Sequence, residues 1–169
     1  MTRALEIRLA TRDDLGAIAR IQIDSRVVSH ETPAWEPLSY LDHDCRVACI
    51  VGYSRAPGGD QLAGFMVSRQ VSPDRIEHSE IETHGIETGE REILSLVVDP
   101  ANRRQGIGRA LVEAELASCS KGTTWFLEVR ESNAAAISLY AAVGFTASGR
   151  RPGYYHDPAE AAIVMRFFS

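Results

Sequence analysis

Two glycines in the segment RRQGIG, at positions 106 and 108, stand directly in front of a stretch with helical spacing, RALVEAELAS. The first turn of a helix leaves about four backbone N–H groups unpaired and carries partial positive charge, so a glycine turn placed there can hold a phosphate. Arg103, Arg104 and Arg109 add positive charge around the turn. These residues predict either an anion site or a tight, solvated basic turn.

Three phosphate-binding patterns compete for this turn. A Walker A loop ends in glycine, lysine and serine or threonine, whereas arginine and alanine follow the second glycine here. The dinucleotide-binding fingerprint needs a small residue where Leu111 stands, and the preceding strand is not the first of the chain. The third pattern, R-x-x-G-x-G, is matched in full by Arg103, Gly106 and Gly108, just after the strand-like segment EILSLVVD. The sequence favours this third pattern.

A second chemical feature is a carboxylate inside the apolar segment TWFLEVR, residues 124–130. Burying an ionised carboxylate without a partner is costly, so the position of Glu128 requires an explanation. Arg130 lies two residues further along and therefore on the same face of a strand. From this segment alone, an ion pair between Glu128 and Arg130 is the favoured explanation.

Longer segments around these features resemble one family. LSLVVDPANRRQGIGRALV (94–112) and LEVRESNAAAISLYAAVGF (127–145), together with RRPGYY at 150–155, are similar to GNAT superfamily N-acetyltransferases. The similarity is to their ribosomal-protein-alanine N-acetyltransferase branch, which modifies protein N-terminal α-amino groups with acetyl-CoA. It extends from about residue 93 to 168, whereas residues 1–92 match only in general layout.

The resemblance implies an acetyl-CoA site around the glycine turn. The pyrophosphate would lie on backbone N–H groups of residues 104–109, and the pantetheine arm and acetyl carbonyl would lie along the preceding strand. A backbone N–H near Val98 would then stabilise the oxyanion as a single donor. The cofactor-binding residues implied in this way are Leu96, Val97, Val98, Arg103, Arg104, Gln105, Gly106, Ile107, Gly108, Arg109 and Asn133.

The resemblance also implies two catalytic residues. Glu128 would take a proton from the attacking amine, directly or through water, and Tyr140 would protonate the departing CoA thiolate. Without the resemblance, Tyr140 reads as a core residue of a helix capped by Ser132 or Asn133. An α-amino group has a pKa of roughly 8 and lysine one near 10.4, so a carboxylate base favours an N-terminal acceptor over a lysine side chain.

No motif identifies the acceptor groove. Tyr154 and Tyr155 either border it or are ordinary surface residues. The related enzymes carry Glu-Asp-Ala before the last strand, whereas the aspartate is missing from 160–162, which reads Glu-Ala-Ala. The acidic segment 73–92 is long for this branch, and it is either solvated surface or an attraction for a basic N terminus.

The main hypothesis is an acetyl-CoA-dependent N-acetyltransferase that acts on a protein N-terminal α-amino group. The alternative within enzymes is acetylation of a small amine, such as a polyamine or an aminoglycoside, which the acidic segment would suit equally well. A non-catalytic acetyl-CoA sensor belongs to a different class, and the presence of both Glu128 and Tyr140 argues against it. A nucleotide-binding domain would be stabilised by ATP or NAD rather than by CoA.

The composition fits one ordinary globular domain over residues 1–169. A net charge of −5 argues against general attraction to nucleic acid or anionic membrane and mildly favours a cationic partner. Neither a signal-peptide pattern nor a membrane span is found, which predicts a cytoplasmic protein, monomeric or homodimeric. Three cysteines without paired spacing predict reduced thiols, and the histidine spacing together with direct amine acetylation predicts no metal.

The elements that must position these residues alternate between strand and helix in the second half of the chain. This alternation, after an antiparallel start, predicts an α/β fold with a mixed sheet, and the resemblance implies a mostly antiparallel GNAT sheet with splayed central strands flanked by helices. The predicted strands are 5–10, 45–54, 61–72, 92–99, 124–130, 145–150 and 161–168. The predicted helices are 11–26, 37–43, 106–119 and 133–143.

Overall fold

The computed structural model describes residues 4–25, 44–51, 61–71 and 89–169. The predicted helix at 37–43, the connection between the predicted strands 45–54 and 61–72, and the acidic segment up to residue 88 lie outside the described residues. Those that are described form, in chain order, β1 (Ala4–Leu9), α1 (Leu15–Asp24), β2 (Asp44–Val51), β3 (Gln61–Val71), β4 (Glu90–Val98), α2 (Ile107–Ala117), β5 (Thr124–Arg130), α3 (Ala134–Val143), β6 (Thr146–His156) and β7 (Ala159–Phe168).

The strands form one mixed sheet in the order β1-β2-β3-β4-β5-β7-β6. Every neighbouring pair is antiparallel except β4 and β5, which run parallel and are connected through α2. A parallel pair requires such a crossover, because a tight turn cannot return the chain to the same end of the sheet. The predicted α/β fold with a mixed, mostly antiparallel sheet is confirmed.

Helices cover both faces of the sheet. Trp125, Leu127 and Val129, alternate residues of β5, are buried in a core that also contains side chains of α2 and α3. The opposite face carries a second core, to which α1 contributes Ile18. Because successive strand residues point to opposite faces, Glu128 is directed to the α1 side of the sheet.

The first helix begins later than the sequence predicted. Residues Arg12–Asp14 form a 3₁₀ turn, and α1 starts at Leu15. The Asp14 carboxylate accepts the backbone N–H of Thr11 at 2.7 Å and a bidentate pair from Arg8 at 2.7 and 2.8 Å. The Arg8 hydrogen bond is the main cause that lowers the pKa of Asp14 to about 2. This turn joins the end of β1 to the start of α1.

Three strands are longer than predicted. Glu90 and Arg91, assigned to the acidic segment, belong to β4 because they pair with both β3 and β5. β7 begins at Ala159 rather than at residue 161. β6 runs to His156 rather than to residue 150, because an irregularity between Arg151 and Tyr155 lets its pairing with β7 resume at Tyr155. The RRPGYY segment is therefore part of a strand.

A charged cluster beneath α2 was missed by the sequence analysis. Glu115 is only 1% exposed, and its carboxylate accepts hydrogen bonds from Ser68 Oγ at 2.6 Å, from Arg91 at 3.3 Å and from Arg46. Ser68 belongs to β3, Arg91 to β4 and Arg46 to β2. We call these four residues the inner cluster. It fastens α2 to three neighbouring strands.

None of the helices in the described ranges is long and apolar enough to cross a membrane. The Cys119 thiol is free and half-buried. Nothing is described for the side chains of Cys45 and Cys49.

Candidate functional site

The central feature of the site is the boundary between β4 and β5, where the two strands are paired at one end and separated at the other. The two strands pair only from Glu90↔Thr124 to Ile93↔Leu127. At this point the register of β3 against β4 also shifts, so that Leu94 is an extra residue with no partner on β3. Such a bulge bends its strand, and it accounts for the parting of β4 from β5. The expected splayed central strands are thus observed.

Because β4 and β5 separate, backbone N–H and C=O groups of β4 point into the opening between them. The N–H of Asp99 donates to the carbonyl of Ala63 at 2.9 Å, toward β3. Since successive residues of a strand direct their backbone groups to opposite sides, Val97 also faces β3, whereas Leu96 and Val98 face the opening. Of the three β4 residues in the predicted cofactor set, only Leu96 and Val98 therefore offer backbone hydrogen bonds to a ligand.

The glycine turn lies where β4 ends and α2 begins. Asp99 accepts the N–H of Ala101 at 3.0 Å and so forms the short turn that precedes the arginines. Arg104 and Gly106 both have left-handed backbone conformations, with φ of 62° and 80°. Successive N–H groups in such a turn converge on an anion, and the unpaired N–H groups at the start of α2 continue the same surface.

The two glycines serve different purposes. At Gly106 the positive φ disfavours any residue with a side chain, and an added Cβ would meet no atom within 4 Å. At Gly108 an added Cβ would lie 3.0 Å from Leu139 of α3 and would also touch Leu96 and Val98. Gly106 thus permits the turn and leaves open space beside it, while Gly108 lets α2 pack closely against α3 and β4.

The arginines of the turn are exposed but not equivalent. Arg103 Nε donates to the carbonyl of Val98 at 3.2 Å, and Arg109 pairs with Glu113 at 2.7 Å on the surface of α2. Both these arginines and Arg104 line the opening, whereas Gln105, also in the predicted cofactor set, does not. The turn therefore presents a basic rim to the cleft.

The opening between the strands is a cleft of about 890 Å³. Its walls are β4 from Ile93 to Val98, the turn with the start of α2, β5 from Leu127 to Arg130, and α3. Residues Glu128, Asn133, Tyr140 and Tyr155 all line it. The structure thus brings the predicted catalytic pair and most of the predicted cofactor residues to one cavity.

Tyr140 is the one buried residue of α3 and is only 6% exposed. Its ring packs edge-on against Phe145, with centroids 5.7 Å apart. Burial raises the pKa of the Tyr140 phenol, because removal from water disfavours the charged phenolate. The hydroxyl therefore stays protonated well above neutral pH.

Asn133 begins α3 as its N-cap. Its side-chain oxygen accepts the N–H of Ala136 at 3.1 Å, and Gly144 ends the helix with a positive φ of 113°. The local prediction of this capped helix is therefore confirmed. The bond from Asn133 to the CoA arm stays a prediction.

Glu128 is paired, but not with the arginine that the sequence favoured. Its carboxylate contacts the guanidinium of Arg151 and accepts the hydroxyl of Tyr154, and the latter bond is the main cause that raises the pKa of Tyr154 to about 12. The Arg151 guanidinium also lies 4.7 Å from the centre of the Tyr154 ring. We call Glu128, Arg151 and Tyr154 the cleft cluster.

Arg130 does not pair with Glu128 and instead links β5 to the β6–β7 hairpin. Its guanidinium donates to the carbonyls of Asp157 at 2.9 Å and Pro158 at 3.1 Å. It also stacks on Tyr155, 4.0 Å from the ring centre. The Glu128–Arg130 pair was wrong because Arg130 reaches along the sheet toward β7, where carbonyls and Glu160 are available.

Glu160 was noted in the sequence only because its neighbouring aspartate is missing. In the structure its carboxylate accepts both the backbone N–H and the hydroxyl of Ser132, and these bonds lower the pKa of Glu160. It therefore holds the loop between β5 and α3. No local signal predicts this contact, since the two residues lie on different elements 28 positions apart.

Among the residues that the structure describes, no group of three or more His, Cys, Asp and Glu side chains could hold a metal ion.

Comparisons with known proteins agree with this architecture. The model of the acetyltransferase (GNAT) family matches residues 15–145. The ribosomal protein bS18-alanine N-acetyltransferase of Escherichia coli K12 is 47% identical over 81 residues, which are 45% of this chain and 54% of that protein. The N-alpha-acetyltransferase RimI of Mycobacterium tuberculosis is 43% identical over 77 residues, 46% of this chain and 48% of that protein. The chain thus spans about half the length of these curated relatives.

Solved structures match over nearly the whole chain. The ribosomal-protein-S18-alanine N-acetyltransferase from Escherichia coli has a TM-score of 0.68 at 28% identity, covering 98% of this chain and 94% of that one. Arabidopsis thaliana NAA60 in complex with a bisubstrate analogue has a TM-score of 0.77 at 23% identity, covering 98% and 99%, and it supports the fold alone. The single-domain organisation over 1–169 stays a prediction. The family model and the fold together place the chain in the acetyltransferase (GNAT) family.

Proposed function

We propose that this chain transfers an acetyl group from acetyl-CoA to an amine, and that the amine is the α-amino group of a protein N terminus. One observation carries the proposal: Glu128 and Tyr140 line the same cleft, beside an unpaired strand edge and a basic glycine turn. A carboxylate and a protonated phenol beside a site for a thioester are the groups that acyl transfer to an amine requires.

The residues of the cleft fit acetyl-CoA. The left-handed turn at Arg104 and Gly106 and the first N–H groups of α2 would hold the pyrophosphate, with Arg103 and Arg109 adding charge. The backbone groups of β4 that face the opening would hold the pantetheine arm and the acetyl carbonyl. Acetyl-CoA supplies the activated thioester, and its fixed position beside the acceptor would supply much of the acceleration.

Glu128 would act on the acceptor. At neutral pH an α-amino group arrives largely as ammonium, and Glu128 takes a proton from its nitrogen, directly or through water. The freed lone pair then attacks the acetyl carbon, and the N–H of Val98 is the donor best placed to stabilise the resulting negative charge on oxygen. The side chain of Glu128 is 19% exposed, which leaves it accessible to an amine.

Tyr140 would act on the leaving group. When the carbon–sulfur bond breaks, its hydroxyl donates a proton to the CoA thiolate, and the second proton that the nitrogen releases as the amide forms restores the hydroxyl. Burial keeps this hydroxyl protonated over the working pH range, so the donor does not depend on a neighbouring acid. Acid and base are thus supplied by different elements, α3 and β5, on the two sides of the reacting carbon.

The names of the curated relatives favour an N-terminal acceptor. Two of them are named for acetylation of a ribosomal protein alanine or of N-terminal α-amino groups. The glutamates at and near the C-terminal end of β5 are also paired with arginines, with Arg151 on Glu128, Arg150 on Glu131 and Arg130 near Glu160. Because these acids are already neutralised, a multiply charged polyamine gains little there. Both proposed substrates, acetyl-CoA and a protein N terminus, fit a cytoplasmic enzyme.

The test is the release of CoA from acetyl-CoA in the presence of matched acceptors. Peptides with free Ala, Ser or Met N termini are compared with an N-blocked lysine peptide and with spermidine. The proposal expects turnover on a free N terminus and little on the other two. Turnover on spermidine alone would support the small-amine alternative, and acetyl-CoA binding without turnover on any acceptor would support a sensor.

A further inference from the structure

The carboxylate of Glu128 already has a cation on its exposed side. The Arg151 guanidinium contacts it, and the side chain of Arg151 is 58% exposed against 19% for Glu128. Arg151 comes from the edge strand β6, and β7 lies between β6 and β5. The guanidinium therefore lies on the exposed side of the carboxylate, outside the walls of the cleft, and an amine that approaches Glu128 from this side meets Arg151 first.

An acceptor amine and Arg151 would compete for the same oxygen atoms. An α-amino group with a pKa of roughly 8 is mostly cationic at neutral pH, so both groups bring one positive charge to one carboxylate. Arg151 also has a second contact in the same conformation, because it lies 4.7 Å from the centre of the Tyr154 ring. It can leave Glu128 and still stack on this ring.

We propose that Arg151 is a displaceable counter-ion of Glu128 and that the acceptor must break this ion pair in order to bind. Arg151 thereby sets the affinity for the acceptor amine without taking part in the transfer. The inference rests on the proposed function, because it assumes that Glu128 receives the amine.

The adjacent arginine provides a matched control. Arg150 has a similarly exposed side chain, but its guanidinium forms a bidentate pair with Glu131 at 2.8 and 2.7 Å. Replacing either residue by glutamine removes one positive charge from β6. The substitutions differ in which glutamate loses its partner.

The experiment measures kcat and the acceptor KM separately for a peptide with a free N terminus. Arg151→Gln is expected to lower the acceptor KM about two- to fivefold, as for loss of one exposed ion pair, with kcat within about twofold of wild type. Arg151→Lys keeps the competing charge and is expected to stay near the wild-type KM. Arg150→Gln is expected to leave both constants unchanged.

Three results would overturn the inference. Equal KM changes in Arg151→Gln and Arg150→Gln would indicate a general charge effect. A raised acceptor KM in Arg151→Gln, or a tenfold loss of kcat in that variant, would make Arg151 a binding or positioning residue. Thermal unfolding and acetyl-CoA titration verify that each variant is folded, and Arg151→Met replaces the glutamine variant if that variant is not. Absence of turnover by the wild-type protein would instead overturn the proposed function itself.

Discussion

The inner cluster and the cleft cluster both pair a glutamate with arginine, on opposite faces of the same sheet. Glu115 is 1% exposed and accepts from Ser68 at 2.6 Å and from arginines of β2 and β4. Among the residues that the structure describes, Glu128 has one arginine partner, and the side chain of that arginine is 58% exposed. Ion pairing alone therefore does not distinguish the two glutamates.

The two clusters differ in whether another group can take the place of those that bind the glutamate. Donors around Glu115 are fixed by α2 and three strands, and no substrate can reach them. At Glu128 the arginine partner is exposed and already stacks on Tyr154, so it can leave the carboxylate for solvent, and the cleft opens beside the carboxylate. Buried pairs are costly to break, whereas exposed pairs contribute little to stability. We therefore propose that Glu115 contributes to the stability of the fold and that Glu128 takes part in the reaction.

The largest effect is expected at Glu128. Glu128→Gln removes the proton acceptor while keeping the shape of the side chain, so turnover should fall about 10²- to 10⁴-fold with acetyl-CoA affinity kept. Steady-state kinetics and calorimetric titration measure the two quantities. Glu131→Gln is the control, because it makes the same change in an exposed glutamate paired with Arg150 and should stay near wild type. Unchanged turnover in Glu128→Gln would remove this residue from the mechanism.

The next largest effect is expected at Glu115. Glu115→Ala removes the buried carboxylate to which Ser68, Arg46 and Arg91 donate, while Arg91 keeps its contact with Asp44. Because both arginines are largely buried, the free energy of unfolding should fall by about 3 kcal/mol. Urea unfolding gives this value. The matched variant on the same helix is Glu113→Ala, whose pair with Arg109 is exposed and should contribute less than about 1 kcal/mol. Similar losses in both variants would contradict the contrast between the two clusters.

A smaller loss of turnover is expected at Tyr140. Tyr140→Phe removes only the hydroxyl and keeps the ring against Phe145, so turnover should fall on the order of 10²-fold while stability changes little. Because burial raises the pKa of this phenol, wild-type activity should show no decline centred at the ordinary tyrosine pKa of about 10. A decline near pH 10 that is absent from the Phe variant would contradict the raised pKa, and unchanged turnover in Tyr140→Phe would remove this residue from the mechanism.

The smallest effect concerns Asp14, away from both clusters. Its pKa is lowered from 3.8 to about 2, so its contribution is present above pH 4 and is lost as the pH falls toward 2. The difference in unfolding free energy between wild type and Asp14→Asn should be about 2 kcal/mol near neutral pH and should vanish below about pH 2. The exposed neighbour Asp13, changed to Asn, should show little effect at any pH. A difference that persists at pH 2 would contradict this origin.

Features encoded by neighbouring residues could be predicted from the sequence. The turn at Gly106 and both ends of α3 depend on residues within one or two turns. The turn and the end of the helix at residue 143 were predicted at the observed positions, and Asn133 is one of the two caps that were predicted. The strand β5 was predicted with its observed bounds, because its alternation of buried and less buried residues is regular. The placement of Glu128 on the less buried face follows from that alternation.

Contacts between distant elements could not be predicted in this way. The partner of Glu128 is 23 residues away, on a strand that reaches it only through the order of the sheet. Ser68 and Arg46, which bind Glu115, are 47 and 69 residues away. The favoured Arg130 pair failed because proximity in sequence was the only available criterion. Predicting such pairings requires knowledge of the strand order and of the register between strands.

The most direct test of the central claim uses one peptide that carries both a free alanine N terminus and an internal lysine. The peptide is incubated with the protein and acetyl-CoA, and tandem mass spectrometry locates the acetyl group. The account predicts acetylation of the α-amino group and an unmodified lysine side chain. Acetyl on the lysine with the N terminus still free would contradict it.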